Sequence, residues 1–311
     1  MSNKLSALVA AMAALFVATS AHAQSPLRVV TSTEDLASIT REVGGDRVEV
    51  TALARGYQDP HFVDPKPSFI LAVNRADLYI AVGRDLELGW LPPLITSSRN
   101  ARVQPAASGY LDVSRNVRIL EIPTGQITRA MGDVHPLGNP HYWLDPGNGR
   151  VIAAAVRDKL SELSRADAAS FARRYDDFDR RLSAAEQRWD SVMAPYEGAK
   201  LVTYHRSWPN FMERFGLEVM GYVEPKPGIP PSPLHILQLI EEMKDEGVGI
   251  IVVEPYFSLK TPEAIVNQLP TGRVLVLAPS VGGVKEVTNY IELFDYNVDL
   301  LAGALRQSAG E

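Results

Sequence analysis

Six histidines and no cysteine set the chemistry open to this chain. Without thiols there are no disulfides, no thiolate metal sites and no cysteine nucleophile, so any metal centre must be built from His, Asp or Glu. His22 lies in a leader segment, which leaves His61, His135, His141, His205 and His235. Three of these have informative neighbours. His205 directly follows the apolar run 200–204 (KLVTY), His61 lies in the loop GYQDPHFVDPKPS after the run 48–53, and His141 lies in NPHYWLDP just ahead of a helical stretch. In open parallel sheets ligands collect outside the carboxyl ends of strands, and imidazoles carried on such loops can converge there. Imidazole suits zinc and the neighbouring late metals, and three histidines with a fourth, oxygen ligand make the tetrahedral set that zinc accepts. His61 and His141 are 80 residues apart, and His141 and His205 are 64 apart, so no short zinc signature applies and only a tertiary fold can join them. His135, six residues before His141, reads either as an auxiliary capture ligand or as an ordinary loop histidine. His235, in the cap of the helix after PPSP, reads as a surface or capping residue.

Elements that would hold these loops follow from the apolar periodicity. Strands are expected at 27–31, 48–53 and 77–82, with helices starting at Ser32-Thr33-Glu34-Asp35 and at Pro67-Ser68 between them. That alternation builds a parallel sheet. Residues 110–140 mix short apolar runs with Gly and Pro and read mostly as loop. From Asn148 the pattern turns helical, and a second helix over about 166–195 contains no internal proline. A helix of that length spans roughly 45 Å, enough to cross a domain and tie two lobes together. Beyond it, strands at 200–204, 217–222, 249–253 and 273–277 alternate with helices at 208–215, 234–246 and 262–268, and a last helix runs over about 287–305. The fold class expected is α/β, with two lobes, each a mainly parallel sheet flanked by helices, joined by one long rigid helix. Its divisions are a signal peptide at 1–23, a first lobe at 24–158, the linking helical region at 159–197 and a second lobe at 198–311.

Lys4 is the only charged residue before the apolar run 5–17, and Ala21-His22-Ala23 supplies the small-x-small pattern that a signal peptidase cleaves. An exported, periplasmic protein beginning near Gln24 is the expectation. No later stretch approaches the roughly 20 apolar residues of a membrane-spanning helix. Of the 311 residues, 23 go with the leader; the 288 that remain suffice for two domains, and losing Lys4 takes the formal charge from −6 to −7. A mildly acidic chain is a poor match for nucleic acid or an anionic membrane, which reward clustered Lys and Arg.

Three stretches resemble a known family. They are DPHFVDPKPSFILAVNRADLYIAVGRDLELGWLPPL, GNPHYWLDP, and the long segment from KLVTYHRSWPNF through DEGVGIIVVEP. Together, in this order and over nearly the whole mature chain, they are similar to the zinc- and manganese-specific solute-binding proteins of bacterial ABC transporters, the metal-binding cluster A-I group. The resemblance implies a single metal ion held between two α/β lobes, a membrane permease as the partner that receives it, and a monomer, with a periplasmic metallochaperone as a further candidate partner. It maps His61, His141 and His205 onto the family's first three ligands, and a histidine rather than Glu at the third position favours Zn²⁺ over Mn²⁺. The family's fourth ligand is often an Asp just after the strand matching 273–277, where this chain has Ala278 in VLVLAPSVGG. Glu254, at the end of VVEP, is the preferred substitute, with Asp59 or water as alternatives. Zinc-type members often carry a His- and acid-rich tract before the second ligand, and here only MGDVHPLGNP stands there. Asp133, Asp145 and Glu224 are candidates to accept a hydrogen bond from the far side of a ligating ring. Trp143, Trp208, Tyr204 and Phe62 flank the three histidines and would exclude water from them.

Two other readings compete with metal capture. A periplasmic zinc hydrolase also uses three histidines and an open position, but the chain lacks HExxH, a Gly-x-Ser-x-Gly elbow and a P-loop. A solute-binding protein for an organic ligand would leave the three histidines without a role.

Overall fold

The computed structural model describes residues 25–125, 128, 131–132 and 134–308; the expected leader and Asp133 lie outside the described residues. The first half carries β1 (Leu27–Thr31), β2 (Val48–Ala52), β3 (Leu78–Ala81) and β4 (Tyr110–Asp112) in one sheet of order β2-β1-β3-β4. In the second half β5 (Lys200–Thr203), β6 (Glu218–Tyr222), β7 (Ile250–Val253) and β8 (Arg273–Val276) form a sheet of order β6-β5-β7-β8. Every pairing is parallel, so the two halves repeat one topology, as the alternation of strand and helix predicts.

Helices α1 (Glu34–Gly44), α2 (Pro67–Arg75) and α3 (Leu91–Ser98) flank the first sheet, and α6 (Pro209–Arg214), α7 (Pro233–Asp245) and α8 (Lys260–Val266) flank the second. Between the sheets run α4 (Pro146–Leu163) and the 26-residue α5 (Ala168–Met193), about 39 Å long at 1.5 Å per residue. The chain ends in α9 (Tyr290–Ser308). Ser232 caps α7 by accepting the His235 N–H. The last helix starts later than its apolar pattern suggests because the Asn289 side chain accepts the N–H groups of Ile291 and Glu292, each at 3.1 Å, and sets the first turn there. Two elements escape the periodicity. α3 opens on Pro92-Pro93, tolerated in a first turn whose N–H groups need no helical partner, and β4 is three residues long, too short to show alternation within the stretch read as loop.

Strand alternation explains how the lobes are joined. Val29, Leu78 and Ile80 point into one core while Val30, Tyr79 and Ala81 point into another under α2 and α3. The second sheet does the same, with Leu201, Ile250 and Val252 facing the first of these cores and Val202, Ile251 and Val253 facing a separate one under α7. The inner faces of both sheets therefore meet a common core. α5 lies across it on a single stripe, Phe171, Phe178, Leu182, Ala185, Trp189 and Met193, and packs against α1, α4 and α9. The linking helix is thus embedded along its length.

Buried polar contacts fasten the halves as well. Asp35 on α1 accepts the Val281 N–H at 2.9 Å and the Ser280 hydroxyl. Trp143 Nε1 donates to the Pro279 carbonyl at 2.9 Å, and the Tyr290 N–H donates to Ser38 Oγ at 3.0 Å. Burial raises the Asp35 carboxyl to about 7 against the opposing pull of these donors. A carboxyl raised on folding keeps a proton that the unfolded chain releases above pH 4, so its contribution to stability declines as pH rises from about 4 to about 7, by at most about 1.4 kcal/mol per unit. Asp35→Asn removes that titration. In urea melts at fixed salt the stability of the native chain relative to D35N should fall across this window and level off above it. Parallel pH profiles for the two proteins would refute the assignment.

Candidate metal centre

Three loops bring their histidines to one place between the sheets. His61 follows β2, His205 follows β5 after one residue, and His141 sits at the start of a single 3-10 turn, Tyr142–Leu144, ahead of α4. One ring nitrogen from each of the three lies within 4.8 Å of the others. The ring centroids are 5.2 Å apart for His61 and His141, 5.8 Å for His61 and His205, and 5.9 Å for His141 and His205. His141 is 2% exposed, and its Nε2 has no hydrogen-bond partner among the described residues. An orphaned buried nitrogen is uncommon and calls for an explanation, such as an ion that the site is built to receive.

Each ring is held from behind by one oxygen on Nδ1. Asp59 Oδ1 takes His61 Nδ1 at 2.7 Å, Asn139 Oδ1 takes His141 Nδ1 at 3.0 Å, and Glu224 Oε2 takes His205 Nδ1 at 2.6 Å. Two of these partners arise from one local device. In Asp59-Pro60-His61 and again in Asn139-Pro140-His141, the side-chain oxygen two residues ahead also accepts the histidine backbone N–H, at 2.9 Å in both. A short Asx side chain folding onto the backbone two residues on is an Asx turn, and the intervening proline limits the φ it must bridge. With Nδ1 tied down, Nε2 is left to face the shared point, the arrangement by which ligating imidazoles are oriented in metal sites.

The model for the family described as "Zinc-uptake complex component A periplasmic", ZnuA, matches residues 29–304. The chain belongs to that family. It is 24% identical over 289 residues to the manganese ABC transporter substrate-binding lipoprotein PsaA of Streptococcus anginosus, covering 90% of this chain and 89% of that one. With the zinc-binding lipoprotein AdcA of Streptococcus pneumoniae it shares 23% over 314 residues, covering 96% of this chain and 60% of the longer relative. A crystal structure of ZnuA superposes with a TM-score of 0.76 at 24% identity, covering 90% of this chain and 99% of that one. As a ZnuA-family member the chain is a metal-binding, substrate-binding protein of an ABC transporter, and the ion is cargo for a permease. It is not an enzyme, which sets aside the hydrolase reading. Among the described residues no helix is long and apolar enough to cross a membrane.

Within this ZnuA-type cleft the remaining candidates separate. His135 lies beside the group of three and contacts His61: its Nε2 is 3.1 Å from His61 Nε2, with ring centroids 5.1 Å apart. Because Asp59 holds the proton of His61 on Nδ1, His135 Nε2 is the donor in that contact. Burial, with the nearby His61 and His205 rings, lowers the His135 pKa to about 4. Glu254 is not among the residues that converge. It is fully buried at the end of β7, one oxygen accepts Trp208 Nε1 at 3.0 Å, the other has no hydrogen-bond partner among the described residues, and burial raises its carboxyl to about 7. Ala278, where the family often has its fourth ligand, is locked in place: Asn297 accepts its N–H and donates to its carbonyl, both at 2.8 Å.

Asp59, an alternative for the fourth ligand, instead backs His61, and its carboxyl is held below the usual range because the His61 contacts outweigh the upward push of burial. Of the expected far-side acceptors, Glu224 takes that role, whereas Asp145 caps α4 by accepting the Gly147 N–H at 2.8 Å. Asn139 is an amide where the expected acceptors are carboxylates, and the repeated Asx-Pro-His pattern is the sequence signal that points to it. Trp143 packs against His141 and Phe257 against His205, but Phe62 is 69% exposed and shields nothing. His235 Nε2 bonds the Tyr222 carbonyl at 2.9 Å and stays outside the group. A largely apolar cavity of about 320 Å³, with Val134, His135, Pro225 and Pro227 in its walls, opens onto His141 and His205.

Burial, reinforced by the neighbouring histidines, holds the His141 pKa well below its ordinary value. In metal-stripped protein at neutral pH, long-range ¹⁵N–¹H spectra should show His141 as the neutral Nδ1–H tautomer with a bare Nε2. An Nε2–H tautomer would contradict the Asn139 contact.

Proposed function

We propose that this chain captures Zn(II) in the periplasm with His61, His141 and His205, closes the fourth position with His135, and delivers the ion to its permease as a monomer. The observation that carries the reading is the convergence of one ring nitrogen each from His61, His141 and His205, with no carboxylate in that group. Neutral nitrogen donors suit zinc and the late metals, whereas manganese favours carboxylate, carbonyl and water oxygens. Two nitrogens bound at 2.0–2.1 Å to a tetrahedral ion stand about 3.3 Å apart, and the 3.1 Å between His61 and His135 is close to that spacing. The backing oxygens supply the remaining requirement, since Asp59 and Glu224 place negative charge one bond behind the donors without binding the ion themselves. On this reading the leader is removed after Ala23, residues 24–158 and 198–311 supply the two walls of the cleft, and 159–197 connect them.

The test is a competition titration of Zn²⁺ and Mn²⁺ into chelator-stripped mature protein against a chromophoric chelator. One tight zinc per chain with much weaker manganese is expected, and manganese binding as tight as zinc would overturn the zinc assignment. H61A, H141A and H205A should each abolish tight binding; absence of any tight ion in the native protein would overturn capture itself. D59N and E224Q should weaken zinc about 10- to 100-fold, the usual effect of losing the group that orients a ligand. H135A should weaken zinc about 10-fold or more if it closes the site, and unchanged affinity would assign the fourth position to water.

A further inference from the structure

His61 and His205 each meet a carboxylate directly, but His141 meets the amide of Asn139, and the carboxylate stands one residue further back. Asn139 Nδ2 donates to Glu121 Oε2 at 2.9 Å and to the Arg206 carbonyl at 2.8 Å. Those two acceptors fix which end of the amide faces His141. Glu121 Oε1 in turn accepts Arg206 Nη1 at 3.2 Å, and the Arg206 guanidinium lies 4.2 Å from the centre of the Tyr222 ring on β6. Glu121 therefore grips both the residue that orients His141 and the residue next to His205, which come from opposite lobes. Its backbone is unusual too: at φ 51° it is a non-glycine residue in the left-handed region, a conformation that is costly for a side-chain-bearing residue and that clusters at functional positions.

We infer that Glu121 is a positioning residue for metal capture: it holds His141 in its ligating orientation through Asn139 and, through Arg206, makes that orientation depend on the two lobes staying together at this edge. The inference rests on the reading of His141 as a ligand. A contact of Asn139 with the second-lobe backbone, backed by an ion pair between the same two segments, ties the bare Nε2 of His141 to the closed arrangement. Parting the lobes along this edge breaks the Arg206 contacts to Glu121 and Asn139, frees the amide to turn, and removes the acceptor from His141 Nδ1.

Glu121→Gly provides the decisive variant, because glycine adopts a positive φ without strain and the backbone at 121 is preserved or relaxed. E121G should unfold at a temperature equal to or above that of the native protein while binding zinc about 10-fold more weakly. E121G and N139A should also be non-additive: a residue acting through Asn139 has no further effect once Asn139 is gone, so the double variant should match N139A. In the same spectra used for the tautomer, E121G should show His141 with mixed tautomers, while E121Q, which can still accept from Asn139, should restore most of the affinity. Native affinity in E121G, with H141A impaired, would overturn the role of Glu121 alone, as would additive losses in the double variant. Native affinity in H141A would overturn the ligand reading, and the Glu121 inference with it.

Discussion

Three imidazoles, each offering one ring nitrogen within 4.8 Å of the others, face one point between the lobes, and the molecule is arranged around keeping them there. An unsatisfied buried polar atom costs about 1–3 kcal/mol, and the bare Nε2 of His141 is one. The rings remain in place because each is held on its other nitrogen, by Asp59, Asn139 and Glu224. For His61 and His141 the holding group lies two residues away across a proline, and at His141 that group, the Asn139 amide, is itself bonded by Glu121 and by the Arg206 carbonyl. His205 has no such turn. Its acceptor is Glu224, brought alongside because β5 and β6 are neighbours in the second sheet and both chains leave the sheet at the same edge.

Local turns can aim a ring, but they cannot hold two lobes at a fixed separation. That depends on the sheets presenting alternate residues to a common core and on one stripe of α5 being buried from end to end of the helix. Asp35, Ser38 and Trp143 from the first half bond Ser280, Val281, Tyr290 and Pro279 from the second, on the side of the lobe junction where His141 and Trp143 enter α4. With apolar packing and buried hydrogen bonds joining the halves, a wide hinge closure is disfavoured, and rearrangement falls to the loops at the cleft mouth.

Much of this was legible in the sequence. The strands and their parallel order follow from apolar runs spaced by helical periodicity, and the unbroken stretch without proline announces α5. His61, His141 and His205 could be picked out from the family resemblance together with their places after strands or before a helix. What could not be read were facts that depend on distance through space. Glu254 shares with His205 a place at a strand's carboxyl end, and only the structure shows that it bonds Trp208 and falls outside the group of three histidines. His135 stands among residues with no periodicity, and its approach to His61 crosses 74 residues of chain. β4 and α3 were missed for local reasons, one too short to alternate and the other opening on two prolines.

The origin of the donors bears on how an ion leaves. Asn297 bonds both backbone groups of Ala278, and on the ligand set proposed above the second lobe contributes His205 alone. His61, His135 and His141 all come from the first half of the chain. A site built three-to-one across a cleft does not need both walls to move: displacing the loop after β5 removes one donor and leaves three on the opposite wall. Three neutral imidazoles with an open fourth position form a competent but weaker and exchangeable site for zinc. On that proposed ligand set capture and release differ by the position of one short loop, which Arg206 contacts to Glu121 and Asn139 hold to the first lobe.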